Sequence, residues 1–191
     1  MINTNFLKKQ IIASKKNIEK LVYETELVQS KSLSLKFKNT ILLKYEHKQK
    51  TGSFKIRGAL NALINLKKRQ NMSSVIAFSS GNHGYGLAKA SHIKNFKCVI
   101  CMSSNVPQNK VNLIKAQKAE VRILGNSQDE VELKMLELIK KEKFCFIPPF
   151  DHQDIICGQG TIGLEILNCL IDIDKIIIPV SGGGLISGIS I

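Results

Sequence analysis

The sequence predicts an α/β protein whose parallel sheets are covered by helices. Two observations carry that prediction. Short, continuously apolar runs, SVIAF (74–78), KCVICM (97–102), EVRIL (120–124) and KIIIPV (175–180), alternate with longer amphipathic segments. Strands covered on both faces read as unbroken apolar runs, and helices between them supply the cover. Glycine- and serine-rich loops, SSGNHGYG and SGGGL, also follow two of those runs directly, where open parallel sheets bind ligands.

The elements follow in order. Residues 6–21 carry a helical pattern, and ILLKYE (41–46) has the make-up of a strand. Residues 53–70 form a helix, because Ile56, Leu60, Leu63 and Ile64 fall at i, i+4, i+7 and i+8, one apolar stripe. The strand at 74–78 leads to a helix over 81–94, and the strand at 97–102 to a helix over 108–118. A strand at 120–124 precedes a helix over 128–143, FCFIP (144–148) is a strand, and 160–170 is a helix before the last strand. The expected organisation is a larger domain begun by 1–73, a small α/β domain over 74–151, and a return to the larger one over 152–191.

Composition excludes several classes. No apolar run is long enough for a membrane span, and residues 1–20 lack the basic, apolar, small-residue order of a signal peptide. A cytoplasmic protein with no membrane partner is the expectation. The formal charge of +13 invites a nucleic-acid reading, but only three of the 28 basic residues are arginines, Arg57, Arg69 and Arg122, and the lysines scatter over several helix faces. A solvated lysine surface is expected, with no nucleic-acid partner. Five cysteines sit mostly in apolar runs, as buried thiols do. Cys98 and Cys101 make a CxxC, but residues three apart on a strand face opposite ways, and no second pair completes a zinc site. No metal is expected.

Three loops carry candidate chemistry. In KTGSFKIRGA (50–59), Lys55 stands near a helix start and shares a face with Gly58, Ala59 and Ala62. Small neighbours leave room for a flat group, and a desolvated lysine has a lowered pKa that favours a Schiff base. Taken alone, Lys55 is more ordinarily a surface lysine whose stem lies along the helix. SSGNHGYG (79–86) gathers Ser79, Ser80, Asn82 and His83 at a helix N-terminus, where free N–H groups attract an anion such as a carboxylate. Either serine could serve only as a helix cap, but two serines, Asn and His within five residues exceed what a cap requires. Gly81 is expected to permit the sharp exit from the strand. VSGGGLISG (180–188) lets successive N–H groups converge on a phosphate. It is not a P-loop, and a lone glycine run is more commonly a flexible turn.

In this order the loops resemble the serine/threonine dehydratase group of fold-type II pyridoxal-phosphate enzymes, similar to the tryptophan synthase β subunit. The likeness runs through KYEHKQKTGSFKIRGA, SSGNHGYGLA, MSSNVPQNKV, FDHQDIICGQGTIGLEIL and IPVSGGGLISGIS. The resemblance implies pyridoxal 5′-phosphate as cofactor, with Lys55 as its Schiff-base lysine and carrier of the Cα proton. It puts Phe54 beside the ring, Asn82 on the ring hydroxyl, and Ser181, Gly182, Gly183, Gly184 and Leu185 on the phosphate. Ser79, Asn82 and His83 would surround the substrate carboxylate. Ser80 matches the position of a second proton donor in serine racemases. The implied reaction is β-elimination on serine, threonine or a related hydroxy amino acid, giving a 2-oxo acid and ammonia; 3-hydroxyaspartate and ectoine-degradation dehydratases share these motifs. An amino-acid racemase is the alternative, as is a non-catalytic remnant. Departures are Ser181 in place of a usual glycine, TELV (25–28) without the usual proline, and His47 where asparagine is common. Family members also continue well past the glycine loop, so an incomplete large domain is expected, with a homo-oligomer or a complementing C-terminal fragment as protein partner.

Overall fold

The computed structural model describes residues 4–169 and 172–191. The chain opens with α1 (Thr4–Ile18), β1 (Leu27–Gln29), α2 (Lys31–Phe37) and β2 (Leu42–Lys44), followed by a short 3-10 turn at Glu46–Lys48 and α3 (Lys55–Gln70). There follow β3 (Ser74–Phe78), α4 (Asn82–Lys94), β4 (Lys97–Ser103), α5 (Gln108–Lys115), β5 (Glu120–Gly125), α6 (Gln128–Glu142) and β6 (Cys145–Phe146). The last elements are α7 (Gln153–Cys169) and α8 (Gly184–Ile189).

Strands β3 to β6 form one parallel sheet in the order β5-β4-β3-β6. Strand alternation divides its side chains between two cores. Val75, Ala77, Cys98, Ile100 and Met102 face one cluster with residues of α3, α4 and α5. Ile76, Val99 and Cys101 face the other, against Val131 and Met135 of α6 and Phe144. Cys98 and Cys101 thus point to opposite sides of the sheet, as the spacing requires. Burial pushes each thiol up to about 12.

The order of the strands matters for function. From β3 the chain steps outward to β4 and β5 with α4 and α5 on one face. It then returns along the other face through α6 and lays β6 on the far side of β3. Right-handed crossovers make a reversal of direction put successive helices on opposite faces. Between β3 and β6 the connections diverge, and the region beyond the strands' carboxyl ends at such a point is where open α/β sheets usually form their ligand crevice.

Several sequence expectations are corrected. The stretch 41–46 is a shorter strand that pairs antiparallel with β1, outside the parallel sheet. β1 and α2 carried no pattern strong enough to be expected. α7 begins at Gln153, a full two turns before residue 160; its expected end at residue 170 lies outside the described residues. KIIIPV forms no ladder, and Ile177 is 95% and Val180 64% exposed. A strand exists only through its neighbours' hydrogen bonds, and among the described residues no neighbour reaches this run.

Candidate active site

Residue Lys55 opens α3 immediately after Phe54, the N-cap residue, whose ring lies 5.2 Å from Nζ. The ammonium is half-buried and donates to the carbonyl oxygen of Pro149 at 2.8 Å. Burial lowers its pKa from the ordinary lysine value, because removing water penalises the charged form.

Pro149 and Phe150 form a corner just beyond β6, and the glycine loop meets the same corner. A Cβ on Gly182 would run into the Phe150 ring, and one on Gly184 would lie 2.9 Å from the Phe150 carbonyl oxygen. Gly183 takes the left-handed conformation (φ 82°), and nothing stands within 4 Å of where its Cβ would be. The loop is therefore walled by Phe150 on one side and open on the other, so its N–H groups can be approached closely only where side chains are missing. Ser181 and Gly182 are exposed and Leu185 is half-buried.

The Ser79–Gly86 loop leaves β3 on the other flank of the crevice. Ser79 N–H donates to the Cys101 carbonyl at 3.2 Å, holding the loop's start in line with the sheet. Its hydroxyl accepts from Gly81 N–H at 3.2 Å. Ser80 is half-buried, and Asn82 is exposed at the first turn of α4. Gly81 is not what permits the turn: its φ is −117°, and nothing lies within 4 Å of its Cβ position. Gly84 is the demanding residue, because a Cβ there would collide with the Ser79 carbonyl oxygen.

His83 is buried, with Nε2 2.9 Å from the Ile147 carbonyl oxygen at the end of β6. Burial, with a smaller contribution from the Lys55 charge, holds its pKa down to about 4, against the partial support of that hydrogen bond. A neutral ring thus bridges the two strand ends that flank the crevice. Gly86 completes the packing: a Cβ would lie 3.2 Å from the Lys55 carbonyl carbon, the Lys55 Cβ and the Ile56 nitrogen. The helix that carries Asn82 therefore rests directly on the lysine's own backbone.

The arrangement brings Lys55, Phe54 and the glycine loop to one corner, while Ser79, Ser80, Asn82 and His83 line the loop across from it. Pro149, Phe150 and Gly86 escaped sequence reasoning as site components, although all three lie in motifs the sequence displays. Their roles are main-chain contacts and a ring used as a wall, which residue type alone does not signal. These residues suit a phosphate-bearing aldehyde. A desolvated amine can bond its carbonyl carbon, and a side-chain-free loop with open space at Gly183 can receive its phosphate.

Comparison with known proteins agrees. The pattern of the pyridoxal-phosphate dependent enzyme family matches residues 18–191. The chain belongs to that family. Its cofactor is pyridoxal phosphate. The chain is similar to the catabolic L-threonine dehydratase TdcB of Escherichia coli, at 39% identity over 181 residues, 95% of this chain and 55% of that protein. Among solved structures, the processed threonine deaminase isoform 2 of Solanum lycopersicum superposes with a TM-score of 0.92 at 36% identity, covering 98% of this chain and 52% of that one. Serine racemase of Dictyostelium discoideum superposes with a TM-score of 0.89 at 36% identity, covering 94% and 59%. The chain thus spans about half the length of these relatives.

Proposed function

We propose that this chain carries the lysine and phosphate-loop half of a pyridoxal-phosphate-dependent ammonia-lyase that converts L-threonine or L-serine to a 2-oxo acid and ammonia. The observation that carries the proposal is the convergence of the Lys55 amine and the Ser181–Leu185 loop on the Pro149–Phe150 corner. Similarity to a protein named L-threonine dehydratase supports the choice of reaction.

In this reading Lys55 holds the cofactor covalently, the loop from Ser181 through Gly182, Gly183 and Gly184 to Leu185 takes its phosphate, and Asn82 and Phe54 flank the ring. When bound, the cofactor supplies an electron sink for charge developing at Cα. A free Lys55 amine would serve as the base for the Cα proton, and partial desolvation favours its neutral form. Ser79 and the N-terminus of α4 bind the substrate carboxylate, with His83 holding that helix to the end of β6. The β-hydroxyl leaves as water, and hydrolysis of the resulting enamine releases ammonia.

The test uses purified protein, pyridoxal 5′-phosphate and borohydride, with keto-acid release measured beside it. A pyridoxyl tag on Lys55, lost with Lys55→Ala, is the expected result; a tag spread over surface lysines refutes the site. A racemase is the second reading, favoured by Ser80 at the crevice and by the likeness to a serine racemase; chiral analysis of recovered substrate separates it. Tagging without turnover would assign the chain to a non-catalytic or complementing role. We also place the protein in the cytoplasm, acting as a homo-oligomer or with a complementing fragment. Among the described residues no helix is long and apolar enough to cross a membrane. The working division is 1–73 and 152–191 for the cofactor-holding domain and 74–151 for the small domain.

A further inference from the structure

Two residues beyond Lys55, Arg57 is completely buried. A fully buried guanidinium survives only when its donors and its charge are matched. Here both are. Nε and Nη2 donate to Glu46 Oε2 and Oε1 at 2.9 and 2.7 Å, a bidentate pair. Nη1 and Nη2 donate to Glu165 Oε1 and Oε2 at 2.5 and 2.9 Å, a second bidentate pair on another edge of the same plane. Nη1 also reaches the Thr161 hydroxyl at 3.3 Å, and Nη2 the Tyr23 carbonyl at 3.2 Å. Lys44 closes the cluster, 2.6 Å from Glu165 Oε2, so two cations face two carboxylates. Burial works against the Arg57 charge, but the hydrogen bonds it donates to Glu46 and Glu165, with their negative charges, outweigh it and raise the pKa.

The geometry of the cluster is more specific than its charge. An α-helix turns about 100° per residue, so side chains at i and i+2 leave it about 200° apart. Arg57 and Lys55 therefore occupy opposite flanks of the first turn of α3. A guanidinium gripped on two edges cannot rotate without breaking both pairs. The grips come from the turn after β2 (Glu46) and from α7 (Glu165). On a third side Gly86 rests against the Lys55 backbone. The turn that bears Lys55 is thus fixed in rotation, and only the lysine's side chain is left to reach Pro149.

We propose that Arg57 is a positioning residue for Lys55: clamped between Glu46 and Glu165, it sets the rotation of the first turn of α3 and so aims the Lys55 amine at the Pro149–Phe150 corner. The proposal rests on the reading of Lys55 as the cofactor-binding lysine, but its direct claim concerns where the amine points.

The test compares the unsubstituted protein with Arg57→Lys, which keeps the charge and loses the fork, and with Glu165→Gln, which keeps the shape and loses one charge. Thr161→Val, which removes the longest contact to Arg57 and the hydroxyl's own bond to the Gly158 carbonyl but leaves both carboxylate grips intact, is the control. Two readouts are normalised to the folded fraction by circular dichroism. One is the pH profile of Lys55 acetylation in competitive labelling with acetic anhydride, read by peptide mass spectrometry without cofactor. The other is the rate of capture of pyridoxal 5′-phosphate at Lys55. There the amine and aldehyde condense with loss of one water, and borohydride hydride with a solvent proton fixes the imine as a secondary amine.

In Arg57→Lys the Lys55 profile should move up toward the ordinary lysine range and capture should slow at least tenfold. Glu165→Gln should give a smaller change in the same direction, and Thr161→Val none. Unchanged profiles and capture in folded Arg57→Lys, or in Glu165→Gln should the first not fold, would leave Arg57 a stabilising residue only and overturn the proposal. Absence of cofactor capture by the unsubstituted protein, with the labelling profile still displaced in the variants, would overturn the functional reading and leave the positioning role standing.

Discussion

Replacing Gly158 with alanine probes the crossing on which the lysine's placement depends. Helices α3 and α7 meet at Gly58 and Gly158, where the two backbones touch. A Cβ at Gly158 would lie 2.6 Å from the Gly58 Cα, 2.8 Å from the Arg57 carbonyl oxygen and 2.9 Å from the Gly58 nitrogen. Ordinary Cβ contacts begin at 3.4 Å, so the nearest atom must retreat by about 0.8 Å. All three atoms are main chain, so no side-chain rotation can relieve the clash, and Arg57 ties α3 to α7 through Glu165 and to the Glu46 turn. Overpacking costs about 1–3 kcal/mol, and a crossing that cannot yield belongs at the upper end. Alanine regains about 1 kcal/mol of helix propensity over glycine. The net loss is about 2 kcal/mol, a fall of about 4–8 °C in Tm for a chain of this size. Gly163→Ala, in the same helix, is the internal control. Its Cβ would lie 3.4 Å from the nearest atom, the Ile189 carbonyl oxygen, so the propensity gain should survive and the protein should be stabilised. Urea unfolding of both variants is the assay. Equal midpoints for the two alanines would refute the close crossing.

Three other perturbations give distinct readings. His83, held down to about 4 from 6.5, takes a proton in the unfolded chain before it does so in the folded one. Stability is therefore lost as pH falls from 6.5 toward 4, by up to about 3 kcal/mol at about 1.4 per unit; His83→Gln should remove that part of the slope in urea titrations at stepped pH. Cys98 and Cys101, both pushed up to about 12, and Cys157, pushed up to about 11, should resist a disulfide reagent at pH 8 while exposed Cys169 reacts quickly; rapid modification of Cys98 or Cys101 in native protein would contradict their burial. Gly86→Ala places a methyl 3.2 Å from Lys55 main-chain and Cβ atoms. It should slow cofactor capture at Lys55 several-fold with less than about 2 kcal/mol of destabilisation, since overpacking and propensity partly cancel.

The parallel sheet was legible because each of its apolar runs is flanked by patterned helices. SVIAF and KCVICM keep β-branched or sulfur side chains on both faces, and both faces are covered. EVRIL, at the sheet's edge, packs Val121 and Leu124 but leaves Ile123 51% exposed. KIIIPV has the same composition and no ladder, because pairing depends on what lies alongside and composition cannot supply a neighbour. β1 and α2 went unread for the opposite reason: three strand residues and seven helix residues are too few to show a period. Within the site, Lys55 and the glycine loop were visible as motifs. The bond from Lys55 to a proline carbonyl 94 residues later was not, nor was the burial of Arg57 beneath two carboxylates from separate segments. An arginine two places from a lysine reads as surface charge until its partners are brought to it.

The ends of the helices hold a practical consequence. Lys38, Lys118 and Lys143 all sit at positive φ, at 49°, 60° and 54°, where an L-residue's Cβ crowds the following carbonyl at a cost of about 1–2 kcal/mol. Glycine is free of that crowding and loses only about 0.4–1 kcal/mol through the looser unfolded chain. Each lysine-to-glycine exchange should thus raise thermal tolerance slightly, and together they would trim three positive charges from a chain at +13. None of the three belongs to the Pro149–Phe150 corner or the loops that meet it, so a sturdier protein for crystallisation could be made with that corner's residues unchanged.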